Sequence, residues 1–305
     1  MSQFKEPIIH VGWPRCASTF LNTRVFSNLR SYKRLDDNDY TDMSLFYLAD
    51  IKPESPVHAL AEQNDVILGG GHFVTYEIPL PWRKYGERVR QDIFIANITA
   101  LFKERGKLLF VIRRQDKIAE SFLRRMADLM DENYMFVDYP VTASAYEDSS
   151  NIKVYKKANL KNRYGTMLTN SFDYYDVLKR ITAHIPKDRL KVLPYEDLEE
   201  NPQKFYAELG KFLGEDLSAF AGEDFEKINA SSDQEEIRNP ALRKLSRHKL
   251  SFLIPGPIRR FARRIMAKKT AMSPEFRTHL MKIYADNNRR LAEEFNLDLK
   301  QYGYY

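Results

Sequence analysis

Two short groups of residues in this chain have the types and spacing to grip phosphate-like anions. The first is Gly12-Trp13-Pro14-Arg15-Cys16-Ala17-Ser18-Thr19, between the apolar run Ile8 to Val11 and a segment of helical spacing. A loop joining a strand to a helix can turn its backbone N–H groups onto phosphate oxygens, and the G-x-x-x-x-G-K-[ST] form adds a Lys for the terminal phosphates. Here Ala17 replaces the second Gly and Ser18 replaces the Lys, so the loop's cation is Arg15. An anion can still be held, but the loop does not build a Mg-nucleotide hydrolase. The competing reading is a plain tight turn with Ser18-Thr19 as a helix N-cap.

The second group is Arg113-Arg114-Gln115-Asp116-Lys117, with Ser121 eight residues after Arg113. An Arg at the C-terminal end of a strand and a hydroxyl two turns into the next helix form a plausible clamp for a second phosphate. Read in isolation, the same residues are a solvated charge run.

The elements that would position these groups alternate. Ile8 to Val11, Val66 to Leu68, Lys107 to Ile112 (KLLFVI) and Leu190 to Leu193 read as buried strands. Ser18 to Leu29, Asp92 to Glu104, Tyr174 to His184, Pro202 to Leu213 closed by Gly214, and Pro274 to Phe295 read as helices. Such alternation predicts an α/β fold, a three-layer P-loop-like parallel sheet flanked by helices, whose ligand crevice lies outside the carboxyl ends of the strands. No repeat or long linker divides residues 1–305, so one domain is expected, with 131–161 as a substrate-side insertion.

Composition narrows the class. Of 305 residues, 43% are hydrophobic, enough for a sizeable core. A single cysteine, Cys16, rules out an intramolecular disulfide and fits a reducing cytoplasm. The start of the chain lacks a signal-peptide pattern, and no apolar window is long enough to span a membrane. The net charge is +6, yet eleven Lys or Arg and no acid lie between Arg238 and Lys269, so the rest of the chain is net negative. Ile258, Phe261, Ala262, Ile265 and Met266 recur at helical spacing against a basic face. This basic amphipathic segment suits an anionic membrane or a polyanionic glycan, or else a helix packed on the domain with a solvated face.

Together these elements resemble the PAPS-dependent sulfotransferase family (PAPS is 3′-phosphoadenosine 5′-phosphosulfate), in particular its bacterial carbohydrate-type members. Gly12 to Thr19 is similar to the family's 5′-phosphosulfate loop, G-x-P-[RK]-[SCA]-[GA]-[TS]-T. Arg113, Lys117 and Ser121 are similar to its 3′-phosphate element, although Gln115 stands where a Pro is frequent. Tyr195-Glu196-Asp197-Leu198 with Asn201-Pro202 resembles the YEDL signature, and Tyr284, Asn287, Leu291 and Ala292 with Asp298-Leu299 and Tyr302-Gly303-Tyr304 resemble bacterial endings.

The resemblance implies that Arg15, Cys16, Ala17, Ser18, Thr19 and Phe20 bind the 5′-phosphosulfate, that Arg113 and Ser121 hold the 3′-phosphate, and that Tyr195 approaches the adenine. A later contact would come from Asn229 to Ser232 or from Arg238. It implies PAPS as donor, adenosine 3′,5′-bisphosphate (PAP) as product and no metal. Arg15 would stabilise charge on the leaving 5′-phosphate. His72, after Gly69-Gly70-Gly71, matches the place where the family presents a catalytic His or Glu, with Glu77 as substitute. Its ordinary pKa suits a base at neutral pH. Cys16 reads as a small residue in a tight loop, whose surrounding N–H dipoles would favour its thiolate and make it oxidisable.

The expected acceptor is a carbohydrate or lipid-linked glycan. The aromatic residues Tyr134, Phe136, Tyr139 and Tyr146 suit sugar stacking, and residues 255–270 suit peripheral contact with the inner face of the membrane. Nucleic acid is not expected. Two competing functions are a P-loop small-molecule kinase using ATP, which the missing Lys opposes, and a non-enzymatic membrane- or nucleic-acid-binding module driven by residues 238–269.

Overall fold

The computed structural model describes residues 4–13, 15–35, 62–69, 91–126, 136–137, 167–168, 172–222 and 274–305. His72, Glu77, residues 223–273 with the basic segment, and all of 131–161 except 136–137 lie outside them.

The apolar runs become strands β1 (Ile8–Gly12), β3 (Val66–Gly69), β4 (Lys107–Ile112) and β7 (Leu190–Pro194); β2 (Lys33–Leu35) adds an edge strand, and β5 (Phe136–Val137) and β6 (Met167–Leu168) form a separate parallel pair. The main sheet has the order β2-β3-β1-β4-β7, and every pairing is parallel. All five residues of β1 are buried, as a central strand covered on both faces requires; that is why Ile8-Ile9 and KLLFVI are apolar at successive positions instead of alternating. The connection leaving β1 runs to β2 on one side and the chain leaving β4 comes to β7 on the other, so the sheet's topological switch point lies between the carboxyl ends of β1 and β4.

After β1 comes α1 (Ser18–Phe20), continued by a π turn (Leu21–Val25) and a 3₁₀ turn (Phe26–Asn28). The other helices are α2 (Gln91–Phe102), α3 (Gln115–Met126), α4 (Tyr174–Thr182), α5 (Tyr195–Glu200), α6 (Pro202–Leu213) and α7 (Pro274–Phe295). Helix α7 packs on α3 and α4, and α2 packs on α4. Helix α6 follows from local chemistry: Asn201 caps its start by accepting from the Lys204 N–H at 3.2 Å, Pro202 fills the first turn, and Gly214 ends it at φ 67°. Gly69 is the site of a close approach: a Cβ there would lie 1.7 Å from Oδ1 of Asn22, so a larger residue would displace the Asn22 side chain from β3.

One buried polar residue departs from the pattern. His10 of β1 is fully buried edge-on to Phe26, with ring centroids 5.6 Å apart, and neither ring nitrogen has a hydrogen-bond partner among the described residues. Burial lowers its pKa to about 3. Since the folded value lies below the unfolded one, this histidine adds no pH-dependent cost above about pH 6.5 and destabilises the fold as pH falls from there towards 3, by about 1.4 kcal/mol per unit. Denaturant unfolding at pH 7 and pH 5 is therefore expected to show His10→Leu losing about 2 kcal/mol less than the parent chain on acidification. Equal losses in the two chains would mean that His10 is protonated in the folded protein.

Candidate active site

The chain leaves β1 at Gly12, in register with Val111 of β4. Trp13 is fully buried, edge-on to Tyr174 at 4.5 Å and tilted against Phe110 at 6.0 Å, which anchors the start of the loop. Arg15 and Ala17 then adopt left-handed backbone conformations, with φ 68° and 61°. Each costs roughly 1–3 kcal/mol for a residue with a Cβ, so surrounding contacts must impose the loop. Left-handed residues interleaved in a tight loop turn its N–H groups towards one side, the geometry of an anion-binding concavity. The helical segment starts at Ala17, whose carbonyl accepts from Leu21 N–H at 2.9 Å without a side-chain cap. The ordinary N-cap reading of Ser18-Thr19 is thus not what the chain adopts. Ser18 and Phe20 are half-buried and Thr19 is exposed.

Both sequence-predicted groups meet at Arg15. Its Nε donates to Oγ of Ser121 on α3 at 2.7 Å, and its carbonyl accepts from Nη1 of Arg113 at 3.1 Å. Arg113 and Ser121 are therefore joined through Arg15 in this structure. The Arg113 guanidinium lies 4.1 Å from the centroid of the Tyr195 ring, and its Nη2 is 4.0 Å from Oε1 of Glu199. The Tyr195 hydroxyl donates to the same Glu199 oxygen at 3.0 Å. Nε of Arg113 is buried and has no hydrogen-bond partner among the described residues, a donor whose desolvation an anion would offset. Two guanidinium groups and one carboxylate leave the cluster net positive. Lys117, the middle residue of the second group, has an exposed side chain.

Tyr195 is buried and serves as the platform for Arg113, in keeping with a core role. Cys16 requires a correction. It is fully buried, and burial pushes its thiol well up despite the opposing pull of the Arg113 and Arg15 charges. The N–H dipoles do not produce a thiolate, so Cys16 is a small buried residue under the loop rather than an oxidisable one.

A second layer supports this one, and the sequence reading did not assign it. Arg114 turns away from Arg113 and forms a bidentate pair with buried Asp116, at 2.6 Å and 3.0 Å. Asp116 also takes a hydrogen bond from Arg277 of α7, whose other nitrogen reaches Glu120 at 3.2 Å. Burial works to raise the Asp116 pKa, but the bonds and charges of Arg114 and then Arg277 outweigh it and hold the carboxyl below its usual range. Glu196, raised chiefly by burial, accepts from Arg114 N–H at 2.9 Å and from the Tyr304 hydroxyl at 2.8 Å. Asp197 accepts from Tyr302, whose carbonyl binds Nη1 of Arg114 at 2.9 Å. Gln115 exchanges amide hydrogen bonds with Asn288 at 2.9 Å and 3.1 Å. The Glu-Asp pair after β7 and the aromatic tail are thus two halves of one clamp on the Arg113-Arg114 turn. The only sequence signal for it is a pair of acids where a strand ends, facing hydroxyl-bearing aromatics at the chain's end.

Among the described residues no helix is long and apolar enough to cross a membrane. No curated protein matches the chain by sequence. Among solved structures, a sulfotransferase from Alicyclobacillus acidocaldarius aligns with 12% identity over 96% of this chain and 97% of its own, at a TM-score of 0.51, a likeness of fold. A mouse sulfotransferase complexed with PAP aligns at 13% identity over 95% of this chain and 89% of its own, with a TM-score of 0.40. The family profile of the sulfotransferase domain matches residues 119–292, from α3 through most of α7. That span is more than half of the 305 residues and includes Ser121, the Tyr195 platform and the acids that clamp the tail. On that match, the chain belongs to the PAPS-dependent sulfotransferase family.

Proposed function

We propose that this sulfotransferase moves the sulfuryl group of PAPS to a hydroxyl of a carbohydrate or lipid-linked glycan, by in-line transfer. The donor supplies an activated sulfuryl group whose departure leaves charge on the 5′-phosphate. In this reading the N–H groups of residues 15–20 hold the 5′-phosphosulfate, with Arg15 placed to neutralise that charge, while Arg113 and Ser121 hold the 3′-phosphate and Tyr195 flanks the adenine. Residues of 229–238 complete the nucleotide contact. His72 accepts the acceptor's proton, with Glu77 as its substitute. Sulfuryl transfer moves a group of lower charge than a phosphoryl dianion, so positioning and a cation near the bridging oxygen can suffice without a metal.

What carries the reading is the junction at Arg15. Two motifs about a hundred residues apart in sequence are hydrogen-bonded through one residue, at the sheet's switch point, beside a buried guanidinium donor without a partner among the described residues. The glycan acceptor is supported by the aromatic residues of 131–161 and by the resemblance to bacterial carbohydrate-type members. The basic segment 255–270 supports a cytoplasmic protein in peripheral contact with an anionic membrane.

The test is thermal unfolding with PAP, 5′-AMP or ATP, in the parent chain and in Arg113→Ala. A ligand at a hundred times its Kd stabilises by about 2.7 kcal/mol. Selective stabilisation by PAP, lost in the variant, is the expected result and opens acceptor screening with His72→Ala as control. Stabilisation chiefly by ATP would instead favour a P-loop kinase.

A further inference from the structure

The Arg113 guanidinium carries a counter-charge. Glu199 lies one helical turn after Tyr195 on α5, so the two side chains share a face. Its Oε1 receives the Tyr195 hydroxyl at 3.0 Å and faces Nη2 of Arg113 at 4.0 Å, while the ring of the same tyrosine carries the guanidinium at 4.1 Å. The three side chains form a closed triangle in which one carboxylate oxygen holds both the platform and the cation. The Arg113 and Glu199 side chains are 18% and 23% exposed, so the pair is screened only in part.

We infer that Glu199 sets the strength with which the nucleotide site holds a 3′-phosphate, orienting Arg113 on Tyr195 while cancelling part of its charge. The inference rests on the donor-site reading above. A phosphate that engages Arg113 comes close to the Glu199 carboxylate, and like charges at such separations repel. Donor and product both carry the 3′-phosphate, so a fully uncompensated Arg113 would retain the spent bisphosphate as firmly as it recruits the donor. Glu199 is thus a positioning and affinity-determining residue, and its effect is confined to ligands that bear the 3′-phosphate.

The experiment is calorimetric titration of PAP and 5′-AMP into the full chain and into Glu199→Gln and Glu199→Ala, at low and at raised salt. Gln keeps an acceptor for the Tyr195 hydroxyl and removes only the charge. Glu199→Gln is expected to bind PAP about tenfold more tightly, the size of a charge interaction near the aqueous end of the dielectric range. Its affinity for 5′-AMP should be unchanged, and the gain should shrink as salt rises. Glu199→Ala should also tighten, which separates loss of charge from loss of the hydrogen bond. A merely structural role would weaken binding or leave the PAP to 5′-AMP ratio alone. Unchanged or weaker PAP binding in both variants, with the parent chain still selective for PAP, overturns the role of Glu199 and leaves the donor site standing. A parent chain that does not prefer PAP to 5′-AMP overturns the donor-site reading and this inference with it.

Discussion

Arg15→Ala is expected to lower kcat/KM for sulfuryl transfer by about 10²- to 10³-fold, the usual effect of removing one donor aimed at charge that develops in the transition state. Arg15 is the cation of the loop, and its Nε already rests 2.7 Å from Ser121, so the same residue orders the hydroxyl of the second motif. Stability should move far less in this variant, because the hydrogen bond to Ser121 is only half-buried and such a bond is worth about 1 kcal/mol. Its left-handed backbone carries the same strain with Ala as with Arg. Arg15→Lys restores the charge without the planar fork and should recover most of the rate. Steady-state kinetics of the three chains at saturating acceptor provide the check. An Ala variant that turns over like the parent would place the charge-stabilising group elsewhere.

Asp116→Ala is expected to have the largest effect on stability, at about 3 kcal/mol. Removing one member of a buried ionic cluster typically costs 3–5 kcal/mol because its partners keep their charge. The lower end applies here because Arg114 and Arg277 are 24% and 33% exposed and can recover some hydration. The loss also weakens the tie between α7 and α3, since Arg277 reaches α3 through both Asp116 and Glu120 and keeps only the second of these bonds. Denaturant titration with an unchanged m-value is the measurement. A cost under 1 kcal/mol would mean that the cluster is effectively solvated.

The sequence by itself determined the elements whose signals are local. KLLFVI and Pro274 to Phe295 form over the residues that periodicity indicates, and α6 begins and ends where its Asn, Pro and Gly direct. Caps and periodicity act within a few residues, so they survive in the linear chain. β2 was not legible because Lys33-Arg34-Leu35 has no apolar run; it is a strand only because β3 offers it an edge. α5 was not legible as a helix because its buried acids look like a surface turn until Tyr302, Tyr304 and Arg114 satisfy them. The two anion-gripping motifs were visible as separate patterns. Only tertiary structure decided that they meet at Arg15, that Arg113 lies on Tyr195 against Glu199, and that Arg114 instead serves the support layer. The contacts between these distant segments join residues 82 to 188 apart in sequence. No local preference specifies such a pairing, because it depends on how the parallel strands are ordered and on which side chains their carboxyl ends bring together.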